Sequence, residues 1–122
     1  MTIHGARVLV AEDDYLCASD LSDELRRAGA CVIGPVPTAS DAIALLDSGI
    51  DLVVLDVQLR GEIAMPVAQA ADRRLIPFVV VSGYEESLFP ELLDLAEAWY
   101  VKPVAFVSVS ARIDALLAQQ AS

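Results

Sequence analysis

Four apolar runs in this chain each lead directly into residues able to do chemistry. Glu12-Asp13-Asp14 follows Val8-Leu9-Val10-Ala11, and Asp56 follows Val53-Val54-Leu55. Ser82 follows Val79-Val80-Val81, and Lys102, the only lysine, follows Trp99-Tyr100-Val101. Short apolar runs of this kind read as strands buried on both faces of a parallel sheet. Their carboxyl ends share one edge, which is where open parallel sheets bind ligands. Residues spread over ninety positions can therefore converge there.

Taken singly, each residue has a structural explanation. Asp13 or Asp14 can cap the helix that follows, and Asp56 can cap a turn. Ser82 can be an ordinary turn residue and Lys102 a solvated charge. Together they describe a reaction. Clustered carboxylates stay ionised only beside a cation, and hard oxygen ligands favour Mg²⁺ over a transition metal. A carboxylate beside Mg²⁺, a hydroxyl and an ammonium suits phosphoryl transfer. Asp56 would attack phosphorus in line, while Mg²⁺, Lys102 and Ser82 share the three equatorial oxygens. The acyl phosphate so formed adds negative charge, which can bias a fold between two states.

The elements that must position these residues alternate. Strands are expected at Arg7 to Ala11, Cys31 to Gly34 (closed by Pro35 and Pro37), Leu52 to Leu55, Ile76 to Val81 and Trp99 to Val101. Cys17, Leu21, Leu25 and Ala28 recur at helical spacing before the stop at Gly29. Thr38 and Asp41 resemble a capping box that opens a helix with Ala42, Leu45 and Leu46 inward, ending at Gly49. A loop through Arg60-Gly61-Glu62 leads to a helix over Pro66 to Arg74. Glu85 to Glu97, with Pro90 near its middle, is the least readable stretch and predicts a short or irregular fourth helix. Phe106, Val109, Ile113, Leu116 and Gln120 mark a last helix. Alternation of this kind gives parallel pairing through right-handed crossovers, an α/β sandwich of about five strands and about five helices.

Composition narrows the function. The chain has 122 residues, enough for one domain with a real core, and 56% of them are hydrophobic. Its net charge of −10 argues against nucleic acid and anionic membrane surfaces as partners. The longest apolar stretch, Leu75 to Val81, is too short to span a bilayer. The N-terminus lacks the apolar segment of a signal peptide, so a cytoplasmic protein is expected. Cys17 and Cys31 match no metal spacing and read as two reduced, buried thiols. His4 reads as an exposed terminal residue.

In order, Val-Leu-Val-Ala-Glu12-Asp13, Val-Val-Leu-Asp56, Val-Val-Val-Ser82-Gly83 and Val-Lys102-Pro103 resemble the response-regulator receiver domain of two-component signalling, over essentially the whole chain. The acidic pair stands 44 and 43 residues before Asp56, which suits that family. The resemblance implies a flavodoxin-like, CheY-like three-layer (βα)5 sandwich whose five-stranded parallel sheet has the order 2-1-3-4-5. It implies that residues 1–122 form one receiver domain with no output domain. It implies that Asp56 is the phosphoacceptor, that Asp13, Asp56 and the Gln58 backbone carbonyl ligate Mg²⁺, and that Glu12 acts through water. Lys102 would pair with the phosphoryl group, and Lys102-Pro103 would be cis. Ser82 takes the switch hydroxyl position and Trp99 that of the switch aromatic. Gln58 and Tyr84, each two residues beyond a site residue, would tune dephosphorylation, with Tyr84 shielding the acyl phosphate. Pro77-Phe78-Val-Val-Val-Ser82-Gly83-Tyr84 resembles a subgroup of stand-alone receivers with a Pro-Phe-x-x-x-Thr-Gly-Tyr signature. The spacings from Asp56 to Ser82 and from Ser82 to Lys102, 26 and 20 residues, are shorter than in most receivers.

The function expected on this basis is a single-domain response regulator that takes phosphate from a histidine kinase or phosphotransfer protein. It would signal to a downstream protein, or shuttle and drain phosphate, catalysing only its own phosphoryl transfer and hydrolysis. The family's usual output and homodimer face is the fourth helix, fifth strand and fifth helix. Leu59, Ile63, Trp99, Tyr100 and Phe106 could form a contact surface or belong to the core. The alternative is a receiver-like binding module whose output is independent of phosphate, motivated by Trp99 and the cramped fourth-helix region. A dehalogenase-type phosphatase would need a second acid where Gln58 stands, and no Gly-rich phosphate loop is present.

Overall fold

The computed structural model describes residues 1–120; Ala121 and Ser122, at the end of the expected domain, lie outside it. In chain order the elements are β1 (Arg7–Ala11), α1 (Tyr15–Arg27), β2 (Cys31–Val36), α2 (Ala39–Leu45) and β3 (Leu52–Leu55). A small hairpin of β4 (Gln58–Leu59) and β5 (Glu62–Ile63) precedes α3 (Met65–Arg73) and β6 (Phe78–Ser82). A 3₁₀ turn (Glu86–Leu88), α4 (Pro90–Leu95), β7 (Ala98–Val101) and α5 (Phe106–Gln120) complete the chain.

The main sheet has the order β2-β1-β3-β6-β7, with every neighbouring pair parallel. Because β4 and β5 form a separate hairpin, this is the expected order 2-1-3-4-5. Alternation along each strand divides the core. Leu9, Ala11, Val53, Leu55, Phe78 and Val80 face one way and meet Ala42 of α2, Val67 of α3 and Leu92 of α4. Val8, Val10, Leu52, Val54, Val79 and Val81 face the other way and meet Leu21 and Leu25 of α1 and Val109 and Ile113 of α5. Burying one such Leu or Val side chain contributes about 1.5–3 kcal/mol. Both faces are covered, which explains why the central strands are uninterrupted apolar runs rather than alternating ones.

Local chemistry sets the helix starts. Asp14 caps α1, accepting from the amides of Leu16 and Cys17. Thr38 caps α2, accepting from the Asp41 amide at 3.2 Å, a contact worth about 1 kcal/mol. Pro66 and Pro90 stand in the first turns of α3 and α4, where a missing N–H costs nothing.

Several expectations are corrected. β2 does not end at Gly34 but continues through Pro35 to Val36, with a register shift opposite Leu9 to Ala11. It can do so because β2 is the sheet edge, where a residue without an N–H breaks no ladder. Gly34 has φ +89, and a Cβ there would lie 2.8 Å from the Val36 nitrogen. The fourth main strand, β6, starts at Phe78 rather than Ile76, after a left-handed Leu75. α2 ends at Leu45, short of Gly49, and Leu45 is only half-buried. The loop at Arg60-Gly61 is the turn of the β4–β5 hairpin, both residues having positive φ as a two-residue I′ turn requires. Gln120 ends α5 exposed. The two thiols are free but not both buried: Cys17 is half-buried and Cys31, on the edge strand, is exposed. The fourth helix is short as expected, six residues, and His4 is exposed.

Candidate functional site

The carboxyl ends of β1, β3, β6 and β7 bring the singled-out residues together. β1 and β3 are paired so that Ala11 lies opposite Leu55, which sets Glu12 beside Asp56. β6 and β7 are paired so that Ser82 lies opposite Val101, which carries Lys102 to the same edge. The Lys102 ammonium bridges two of the acids: it donates to Glu12 Oε1 and, at 3.1 Å, to Asp56 Oδ2. Glu12 is buried and Asp56 is 8% exposed, whereas Asp13 is exposed. Glu12, Asp13 and Asp56 each place one carboxylate oxygen within 4.8 Å of the others.

Glu12 is further held by its own turn, its Oε2 accepting from the amides of Asp13 at 3.0 Å and Asp14 at 3.4 Å. Asp13 Oδ2 accepts from the Arg60 amide at 2.8 Å, tying the loop after β1 to the hairpin. The backbone role of Arg60 is not visible in sequence, because any residue type can supply an amide.

Electrostatics within the cluster pull in opposite directions. Burial, and then the nearby Asp56 carboxylate, push the Glu12 carboxyl above the ordinary value of 4.5, against the opposing pull of Lys102. Burial alone would lower the Lys102 ammonium, but Glu12 and Asp56 together outweigh it and hold it above its usual range. The Cys17 thiol is pushed up to about 12, first by burial and then by the neighbouring Glu12 carboxylate. That helix spacing places Cys17 at the site was missed in sequence, where only a core role was read.

Ser82 is fully buried, and its Oγ accepts from the Tyr84 amide at 3.3 Å. Its carbonyl accepts from the Lys102 amide at 2.7 Å. The Lys102–Pro103 bond is cis, as the resemblance implies, and Gly34–Pro35 is cis as well. Gln58 is half-buried; its amide reaches Asp56 Oδ1 at 3.4 Å and its side-chain Oε1 accepts from the Tyr84 hydroxyl at 3.0 Å. Trp99 is half-buried and held by two contacts. Its Nε1 donates to the Tyr84 carbonyl at 2.9 Å, and its ring stacks on Phe89 at 6.3 Å. Phe89 also meets the Tyr84 ring edge-on at 5.7 Å. Phe89 is the aromatic that sequence reading overlooked, for lack of any helical period around Pro90. Of the contact-surface candidates, Leu59 is core, Ile63 is exposed, and Trp99, Tyr100 and Phe106 are half-buried.

The donor set fits a hard divalent cation. It offers three carboxylate oxygens and no nitrogen or thiolate donor, and exposed Asp13 leaves the cluster open to water.

The chain has the CheY-like, flavodoxin-like fold of response-regulator receiver domains. It matches the CheY-like response regulator receiver domain protein of Methanospirillum hungatei JF-1 with a TM-score of 0.85, covering 96% of this chain and 97% of that one at 22% identity. It also matches the response regulator protein TrrA of Thermotoga maritima, solved in complex with Mg²⁺-BeF, with a TM-score of 0.80, 91% and 98% coverage and 22% identity. In sequence it is 33% identical over 101 residues to the transcriptional regulatory protein PdtaR of Mycobacterium tuberculosis, covering 80% of this chain and 49% of that protein. The chain thus spans about half the length of the curated relatives it matches. No protein-family model matches it. Among the described residues, no helix is long and apolar enough to cross a membrane.

Proposed function

We propose that the chain is a phosphoacceptor receiver domain in which Asp56 takes a phosphoryl group from a histidine kinase or phosphotransfer protein. The observation that carries this reading is the Lys102 ammonium held between Glu12 and Asp56 at the carboxyl edge of the sheet. An Asp56 oxygen forms a bond to phosphorus as the bond from phosphorus to the donor nitrogen breaks, and that nitrogen keeps the electron pair and takes up a proton. Lys102, already within reach of Asp56, offsets charge on the transferred group. Asp13 and Asp56, with the Gln58 carbonyl, would hold Mg²⁺, with Glu12 acting through water. When bound, Mg²⁺ neutralises charge on the phosphoryl oxygens. Buried Ser82 offers a hydroxyl at the neighbouring strand end.

On this reading the protein is not an enzyme in the ordinary sense. It works in the cytoplasm and passes its state to another protein or drains phosphate. The Pro77-Phe78 to Gly83-Tyr84 segment fits the stand-alone subgroup it resembles. A small phosphodonor with Mg²⁺ should add one phosphoryl group to the wild-type chain, read by intact-mass spectrometry, and none to Asp56→Asn. Label retained in Asp56→Asn would reject the assignment.

The bond and stack that hold Trp99 favour a second reading, a binding module whose output does not depend on phosphate. Equal partner affinity with and without beryllofluoride would support it.

A further inference from the structure

A groove of about 290 Å³ lies between the β4–β5 hairpin and the segment 88–92, beside rather than within the carboxylate cluster. Ile63 and Met65 make one wall, and Leu88, Phe89 and Leu92 the other. Ile63 is 44% exposed and Leu88 64%, so two aliphatic side chains face water at an apolar slot. The charged residue that lines it is acidic, and acidic residues flank both walls in sequence. Glu91 lines the groove. Exposed Glu62 precedes Ile63, and exposed Glu85 and Glu86 lead into the turn that carries Leu88. No lysine, arginine or histidine occurs in 61–72 or 75–101. Arg60, two residues before Glu62, is the nearest basic residue in sequence and is exposed in the hairpin turn.

This setting restricts the occupant. Nucleic acid and anionic membranes are repelled by the carboxylates. A second copy seated by the same patch would bring acidic rim against acidic rim, on a chain of net charge −10. The complementary surface is an apolar anchor flanked by cations. We infer that the groove binds an amphipathic, basic segment of a partner protein. A large apolar side chain of the partner enters between Ile63, Leu88 and Phe89, and its Lys or Arg residues face Glu62, Glu85, Glu86 and Glu91.

Both walls connect to the site. The hairpin wall begins at Gln58, two residues after Asp56, and Gln58 accepts from the Tyr84 hydroxyl. The opposite wall contains Phe89, packed on Tyr84 and Trp99. Control of the groove by Asp56 rests on the phosphoacceptor reading; the groove's chemistry does not.

The whole chain can be titrated with a synthetic Lys/Leu peptide whose leucines recur at helical spacing. Controls are the same peptide with Glu for Lys and a scrambled Lys/Leu peptide. Trp99, the only tryptophan, reports by emission through Phe89, and amide chemical shifts locate the contact. The patterned basic peptide should bind saturably, more tightly than either control, with shifts concentrated in 62–65 and 85–92. Leu88→Asp and Ile63→Asp should each weaken binding about tenfold, while circular dichroism shows both still folded. Leu16→Asp, at an exposed position of α1, should leave binding unchanged.

Shifts that map to α1, or wild-type affinity in both groove variants, would overturn the inference. A concentration-dependent dimer abolished by Leu88→Asp would also overturn it, assigning the groove to a second copy. Asp56→Asn separates the two proposals. Peptide binding that survives in this variant supports the groove whatever the phosphorylation result, and loss of binding there would reject the groove as a site in its own right.

Discussion

The Tyr84 hydroxyl donates to Gln58 Oε1 at 3.0 Å, joining the chain just beyond two adjacent strand ends. Gln58 follows Asp56 by two residues, and Tyr84 follows Ser82 by two. If Tyr84 shields an acyl phosphate on Asp56, losing this bridge admits water. A hydrogen bond worth about 1 kcal/mol corresponds to a rate change of about fivefold. Tyr84→Phe should shorten the phosphoprotein half-life by about that factor, and Tyr84→Ala by more, measured as acyl-phosphate decay after the donor is removed. A wild-type decay rate in Tyr84→Ala would show that the bridge does not shield.

Trp99 is held by two contacts that a swinging aromatic would have to give up, the bond from its Nε1 to the Tyr84 carbonyl and the stack on Phe89. Losing both costs about 1–2 kcal/mol. Beryllofluoride with Mg²⁺ should therefore shift Trp99 emission little, and Trp99→Phe should still be phosphorylated while losing about 1 kcal/mol of stability in urea. A large blue shift in the wild type, reporting an inward Trp99, would contradict this.

The sheet and the carboxylate cluster were readable because both rest on patterns that survive in one dimension. Apolar runs mark strands buried on two faces, and parallel order alone puts Asp13, Asp56 and Lys102 on one edge. Element ends were less readable. Pro35 looked like a stop because a proline ends an interior strand, and its edge position is a tertiary fact. The hairpin turn at Arg60-Gly61 was hidden because arginine at positive φ is uncommon, so only the glycine signalled it. Phe89 and Cys17 could not be assigned to the site because their relevance comes from what folds against them. Cys31 looked like core because of its type, yet the edge strand leaves it exposed.

The two thiols should differ sharply in reactivity. The thiolate is the nucleophile, and Cys17 is held protonated up to about 12 against an ordinary 9.0. At about pH 8, an aromatic disulfide reagent should titrate one thiol per folded chain quickly and the other slowly. Cys31→Ser should remove the fast phase. Stability should carry the same signature. The unfolded thiol ionises near 9.0 while the folded one does not, so the Cys17 contribution is lost as pH rises from 9.0 towards about 12. Equal rates for both thiols would place Cys17 outside this environment.

Glu12 and Lys102 give the site opposite pH signatures. Glu12 has a folded value above 4.5, raised first by burial and then by Asp56. Within that window the folded state binds more protons than the unfolded one, so stability falls as pH rises, and ionised Glu12 destabilises the fold above it. Lys102 has a folded value above its ordinary 10.5. Its stabilisation is complete below 10.5 and is lost only as pH rises through the folded value. Glu12→Gln keeps the side-chain shape and leaves Lys102 paired with Asp56. In EDTA at about pH 7 it should therefore be more stable than the wild type, and the difference should vanish as pH falls through the ordinary carboxyl value of 4.5. Lys102→Met should be less stable at about pH 7, because it leaves Glu12 and Asp56 together without a cation. Mg²⁺ should raise the Tm of the wild type more than that of Glu12→Gln, since a ligand stabilises the state that binds it better. If Glu12→Gln proves less stable in EDTA, the Lys102 pairing outweighs burial and Asp56 in setting the energy of Glu12.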